Sequence, residues 1–528
     1  MLFNSYVFIC LFMPITLAGY ALFGRINPRL AAVWLSVCSL FFYAWWNPVF
    51  LIVLCGSILG NFALGEAILA SDGRERQQGR ILFCGIAANL ALLFFYKYVF
   101  ALIGFFVSHE VLPASWSGKV ALPLGISFFT FTQIGYLMDC RQRVVRERSF
   151  VDYVLFVTFF PHLIAGPIIH HKEMMPQFAA RETYHVTRRN IAIGLTLFVV
   201  GLAKKVLIAD RMIPTVAAVF SDPVHADVVV AWLGLLSYSL QLYFDFSGYS
   251  DMAIGLARMF GIRFPVNFNS PYKARSIIDF WQRWHMTLTR YLNLLLFNPI
   301  AMAMTRRRLA KGLGISRKAI ANPRAFLALT VWPTMATMAL AGVWHGAGLQ
   351  FLVFGLPHGL FLSINHAWRM FGPKGAPHDA AAGGLAGTVR NAGLVLLTYA
   401  AVLVGQVFFR AGSVGDGVAM LKALAGLHEP GRSPSELLYY SYLDGAFLVQ
   451  AAFVVGGLLL VWFTPNSQEW LRDFEPALAH DKAPPATGRR LSTLKWTMSP
   501  QWAMVVGGLA ALAFASLSGP TEFLYFEF

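Results

Sequence analysis

Twelve long apolar stretches constrain this chain more than any other feature. They cover residues 2–24, 30–46, 49–69, 81–107, 121–139, 190–209, 229–247, 326–344, 349–369, 391–409, 446–463 and 501–518. A helix needs about 20 mostly apolar residues to cross a bilayer. The runs are near-continuous, unlike the alternating ~10-residue strands of a membrane barrel. Of 528 residues, 57% are hydrophobic and only 13% charged, against about 25% in soluble domains. The expected fold class is therefore an all-α polytopic membrane protein of about 11–13 transmembrane helices.

The net charge of +16 would point to nucleic acid in a soluble chain. Here it follows the positive-inside rule, because the basic residues collect in alternate loops. Arg25 and Arg29 follow the first run, Arg74, Arg76 and Arg80 the third, and Arg141, Arg143, Arg146 and Arg148 the fifth. Arg188 and Arg189, the region 258–324 and the loop 464–500 fall on the same side, with 210–228 opposite. These loops are expected in the cytoplasm and the N-terminus outside, with no nucleic-acid partner. No Lys or Arg precedes Arg25, so residues 2–23 read as a retained first helix and not a cleaved signal. Cys10, Cys38, Cys55, Cys84 and Cys140 lack metal spacing and read as small buried hydrophobes. The stretches 372–387 and 483–488 read as flexible loops.

Two apolar segments do not fit as spans. Val151 to Ile169 carries Pro161, His162 and Pro167; Ser276 to Ile300 mixes Asp279, Arg283, His285 and Arg290 with Trp and Leu. Irregular backbone at membrane depth survives only when protein buries it or when it lines a cavity. Both are expected to be re-entrant or interfacial and to form a funnel leading inward.

A titratable group deep in an apolar run is costly unless it has a partner or a task. His345, within Leu340-Ala-Gly-Val-Trp-His-Gly-Ala347, is such a group. Gly342, Gly346 and Gly348 let helices approach closely and leave room beside the ring. Two readings fit: a packed interhelical histidine, or a general base near neutral pH. In the run from Ile278 to Thr289, Asp279 and Arg283 are i,i+4 partners. With Trp284 and His285 they make either an interfacial helix or the lining of an entrance. Asp245 and Asp251 lie at the foot of an apolar span and are expected to pair with Arg258, Arg283 or the basic loop. Thr305 to Arg324 holds seven basic residues and no acid. It reads as a solvated loop near anionic lipid, or as a dock for the phosphates of a nucleotide-type donor.

There is no G-x-S-x-G elbow, no phosphate-binding P-loop, no H-E-x-x-H pair, and no histidine with an aspartate five residues later. Serine hydrolysis of that type, ATP hydrolysis by that loop, and a metal site of that spacing are not expected.

Several segments together resemble one family, the membrane-bound O-acyltransferases, and within it the branch concerned with alginate O-acetylation and teichoic acid D-alanylation. They are Pro123–Phe131, Phe159–Pro167, Gly201–Lys205 with Ala209-Asp210, Tyr243–Ala253, Asn267–Asn269 with Pro271-Tyr272, Phe280–His285 and Val343–Gly346. The likeness runs from about residue 3 to the closing Phe-Leu-Tyr-Phe-Glu-Phe. It implies one acyltransferase domain over 1–528, with a core at about 120–370 and flanking helices at 1–119 and 390–528. It implies a helical core around a central tunnel, in which His345 and His285 match the family's histidines. Trp344, Asp279, Arg283, Trp284 and Asp245 are then tunnel or donor-binding candidates. It further implies acetyl-CoA as donor substrate with no permanently bound cofactor, a periplasmic acetyltransferase partner, an exopolysaccharide acceptor, membrane lipid around the chain, and a bacterial inner-membrane location. Where the branch usually continues with Arg-Asp and a Gly-Gly stretch, this chain has Tyr291 to Ile300. The alternatives are a transporter or flippase of a lipid-linked sugar, or a lysophospholipid acyltransferase; no internal repeat of the transporter kind is visible.

Overall fold

The computed structural model describes residues 1–108, 111–113, 122–145, 148–316, 319, 321–373, 384–427, 447–478 and 495–524. Arg146, Arg317, Lys318, the stretch 483–488 and the last four residues lie outside this set. Within it every regular element is helical. Seven helices are long and apolar enough to cross a membrane: Phe8–Ile26, Pro48–Ala70, Glu75–Ser108, Arg188–Ser221, Val228–Met259, Pro323–His345 and Gly384–Arg410. Pro28–Ala44, Phe447–Phe463 and Pro500–Ala515 are shorter apolar helices. The chain is an all-α polytopic membrane protein.

Two expected spans take other forms. Residues 121–139 yield Ile126–Arg141, a 16-residue helix buried along most of its length. Leu349–Phe371 is long enough, but His358, Asn365 and His366 dilute its apolar character. Two boundaries also change. The helix expected to end at 209 runs on to Ser221, so Asp210 is a buried helical residue, not part of an outer loop. The next helix is 32 residues long and carries Asp251 and Arg258 inside it. Asp210 and Asp251 can sit within these helices because paired lysines replace lost water. The basic stretch at 305 is likewise no simple loop: Arg306, Arg307 and Arg308 end the helix Asn298–Ala310. The 372–387 stretch closes in a helix from Gly384.

Glycines set the central crossing. A methyl group at Gly194 would lie 2.4 Å from the Gly255 carbonyl oxygen, and one at Gly201 2.4 Å from that of Gly248. Arg188–Ser221 and Val228–Met259 therefore pack backbone against backbone, the close approach small residues permit in membranes. By contrast, Phe8–Ile26, Pro48–Ala70 and Glu75–Ser108 turn mostly outward, exposing Leu11, Ile52 and Phe83, as lipid-facing helices do. Cys38 and Cys140 are buried as expected, but Cys10 and Cys84 are exposed on these outer faces.

The two misfit segments are broken into short helices. Residues 150–179 form three short helices, Phe150–Thr158, Phe160–Leu163 and His171–Ala179. His162 Nε2 pairs with the Phe156 carbonyl at 2.9 Å. The second segment forms Ile277–Trp281 and Met286–Leu292.

Candidate active site

The helix ending at His345 starts from Asn322, whose side chain accepts from the Arg324 amide, with Pro323 in the first turn. Gly346 is extended, and Leu349–Phe371 returns antiparallel. The hairpin closes tightly, since a methyl at Gly342 would lie 2.3 Å from the Phe351 carbonyl oxygen. A helix C-terminus leaves carbonyls unsatisfied and carries partial negative charge. Here the neighbouring helix supplies both answers. Tyr98 donates its hydroxyl to the Val343 carbonyl at 2.7 Å, and Lys97 donates to that of Trp344. Both sit on a single π-helical turn, Phe95–Val99, a distortion common at functional positions.

The His345 ring is caged by aromatics: Trp344 at 4.7 Å, Phe409 at 5.0 Å and Phe354 at 5.8 Å between ring centres. Among the described residues it makes no hydrogen bond.

His285 is held differently. It lies in the turn between Ile277–Trp281 and Met286–Leu292 with φ 42° and ψ 53°. A non-glycine residue in this left-handed region costs about 1–2 kcal/mol. The segment Asn267–Asn269 clamps the turn from both sides: the Asn269 amide donates to the Arg283 carbonyl, and the Met286 amide to that of Asn267, each at 2.9 Å. His285 Nδ1 meets Asn267 Oδ1 at 3.0 Å, and its ring packs edge-on against Phe246 at 4.7 Å. Burial pushes its pKa down to about 3, so the ring is neutral at physiological pH.

Both imidazoles line one cavity, together with Asp245 and Trp284. The rest of its wall is mainly aromatic and aliphatic, which favours a water-poor interior. Asp245 does not pair with Arg258 or Arg283. Its Oδ1 lies 2.7 Å from Lys205 Nζ, which is also 2.7 Å from Asp210 Oδ1. Asp251 pairs with Lys204 at 2.6 Å. Two adjacent lysines on the crossing helix thus supply the counter-charges, and the sequence reading overlooked them. The triad also anchors the segment 522–524. Lys205 donates to the Glu522 carbonyl, and the Leu524 amide donates to Asp245 at 3.2 Å. This places Phe523 and Leu524 in the cavity wall.

The other three sequence candidates lie off the cavity wall. Trp344 packs against Phe131 at 5.4 Å, beneath Lys97. Asp279 and Arg283 form their i,i+4 ion pair at 2.6 Å. Asp279 also accepts from the Arg275 amide, so the pair braces the chain just before His285. Trp281, within the run read as an entrance lining, lines the cavity, as do His358 and Gln406, which were not singled out from sequence. The signal for His358 and Gln406 was present: each is a polar residue inside an apolar run, the criterion that picked His345. No group of three or more His, Cys, Asp or Glu side chains is arranged for a metal ion among the described residues.

Two imidazoles, one from a broken segment and one from a helix end, face a single mainly apolar cavity in a helical membrane core. The model of the membrane-bound O-acyltransferase family (MBOAT) matches residues 82–312, a stretch that includes His285 and stops short of His345. The chain is 39% identical to the peptidoglycan O-acetyltransferase of Helicobacter pylori, over 81% of this chain and 80% of that one. It is 34% identical to the probable alginate O-acetylase AlgI of Pseudomonas aeruginosa over the full length of both. It is 27% identical to the teichoic acid D-alanyltransferase of Bacillus subtilis, over 61% of this chain and 77% of that one. The chain belongs to the membrane-bound O-acyltransferase family and is an acyltransferase.

Proposed function

We propose that this protein takes acetyl from acetyl-CoA on the cytoplasmic side and passes it across the membrane for O-acetylation of an exported polysaccharide, through a periplasmic partner. The observation that carries the reading is the shared cavity of His345 and His285, in a chain aligned end to end with a relative named as an O-acetylase. The reaction asks little beyond positioning and a proton acceptor. A hydroxyl oxygen bonds to the thioester carbonyl carbon while an imidazole takes its proton. The carbon–sulfur bond then breaks and the thiolate leaves, recovering a proton to become free coenzyme A. His345 is the candidate general base, and His285 a second acceptor in the same space. The aromatic wall keeps water from competing for the acyl group.

The test uses sealed membrane vesicles with labelled acetyl-CoA on the basic-loop side. Label in an O-acetyl ester, lost in His345→Ala, supports the reading. Preference for palmitoyl-CoA with label in phospholipid replaces it with the lysophospholipid reading.

A further inference from the structure

We infer that Asn267 is a positioning residue: it fixes His285 with its proton on Nδ1, leaving the lone pair at Nε2 as the acceptor the cavity presents. The proposal deepens the reading above and rests on it for the identity of the reactants, but not for the hydrogen-bond logic.

That logic starts from a group with no choice. The Ile168 backbone N–H can only donate, and it donates to Thr287 Oγ1 at 3.0 Å. The threonine hydroxyl directs its own hydrogen to the Asn267 side chain at 2.8 Å. The Thr287 backbone N–H points to the same Asn267 atom at 3.4 Å. Backbone N–H groups do not accept, so that atom is the amide oxygen and not the nitrogen. The amide nitrogen is then free to donate to Ser250 Oγ, as it does at 3.2 Å. An amide oxygen has no proton to give, so its 3.0 Å contact with His285 Nδ1 is a hydrogen bond only when Nδ1 carries the hydrogen. In a neutral ring the other nitrogen is then bare. Nε2 is buried and meets no hydrogen-bond partner among the described residues, while the ring lines the cavity.

Asn267 also fixes where the ring points. Its backbone carbonyl receives the Met286 amide on one side of the left-handed residue, and Asn269 pairs with Arg283 on the other. Asn267 thus contributes both to the backbone that aims His285 and to the choice of the ring nitrogen that holds the proton. His345 has no such partner among the described residues. The prepared Nε2 accepts a hydrogen bond from an S–H or O–H group brought into the cavity, beside His345.

The experiment compares wild type with Asn267→Leu, Asn267→Asp, His285→Ala and the double variant Asn267→Leu/His285→Ala. All are reconstituted as full-length protein and assayed with labelled acetyl-CoA, with chromatographic behaviour and melting recorded. Asn267→Leu keeps the size and removes the acceptor. Its kcat is expected to fall about 10- to 100-fold, with KM for acetyl-CoA within about twofold. The double variant is expected to be no slower than His285→Ala, because Asn267 acts through that ring. Asn267→Asp keeps an acceptor oxygen but adds charge that favours imidazolium. Its pH–rate profile should recover activity at higher pH, by about one unit or more. The proposal is overturned if Asn267→Leu retains wild-type kcat, if its loss multiplies with that of His285→Ala, or if the Asp variant's profile does not move. If Asn267→Leu fails to fold, the Asp profile alone decides. Should wild type use another acyl donor, the donor assignment falls and the same variants are run with that donor.

Discussion

His285 and His345 share a cavity but are built on opposite principles. His285 sits in a strained turn, closed in by hydrogen bonds from the segment at 267–269. His345 sits at a relaxed helix end, and its ring packs against the aromatic rings of Trp344, Phe409 and Phe354. Polar restraint acts directly on the first ring. It acts on the second only through the helix end, via Lys97 and Tyr98. The difference teaches that a membrane interior can prepare an imidazole in two ways: by specifying its proton, or by shaping the space in which it turns.

The hardest blow to this comparison is removal of the rings. His345→Ala and His285→Ala should each lower acyl transfer by about 10²- to 10⁴-fold, the usual worth of positioned acid–base groups. A near-normal rate in either, measured as label transferred per minute, would break the pairing. Lys97→Met tests the helix end. It removes the donor to the Trp344 carbonyl, and the rate should fall about tenfold through misplacement of the ring, with Lys97→Arg retaining more activity than Lys97→Met. Gly342→Val tests the hairpin. With a carbonyl oxygen 2.3 Å from the added carbon, overpacking should cost about 1–3 kcal/mol, read as a lower melting temperature in detergent.

A smaller effect sharpens the comparison through pH. Burial holds His162 down to about 4 and His285 to about 3, against an ordinary value of 6.5. The unfolded chain therefore binds more protons than the folded one below pH 6.5. Their contribution to stability is complete above pH 6.5 and is lost as pH falls towards 4 and then 3. The melting temperature should drop over that window, and His162→Gln should flatten the upper part of the decline. The smallest effect belongs to Arg283→Met, which breaks a partly exposed ion pair. It should cost about 1 kcal/mol or less, read as a small drop in melting temperature with acyl transfer little changed.

Much of the site could be read from residue order. His345 stood out because an ionisable side chain in an apolar run demands a reason, and the broken segment at 276–300 announced itself through its mixture of charge and tryptophan. The same criterion also covered His358 and Gln406. The partners of Asp245 and Asp251 were not readable. The choice among several basic residues depends on which helix crosses at the glycines, and local spacing carries no record of it. The role of Asn267 was hidden for the same reason: it acts on a ring 18 positions away, through a turn that no helical or extended period describes.

The order of residues by itself decided that this chain lives in a membrane as helices, because long apolar runs with few charges leave the backbone no other way to satisfy its hydrogen bonds in lipid. It also decided where that rule would be broken. Only the tertiary structure decided which two imidazoles share a cavity, which lysine neutralises which carboxylate, and which amide holds the proton in place. Those are contacts between helices, set by how closely backbones can approach, and they exist only once the helices have met.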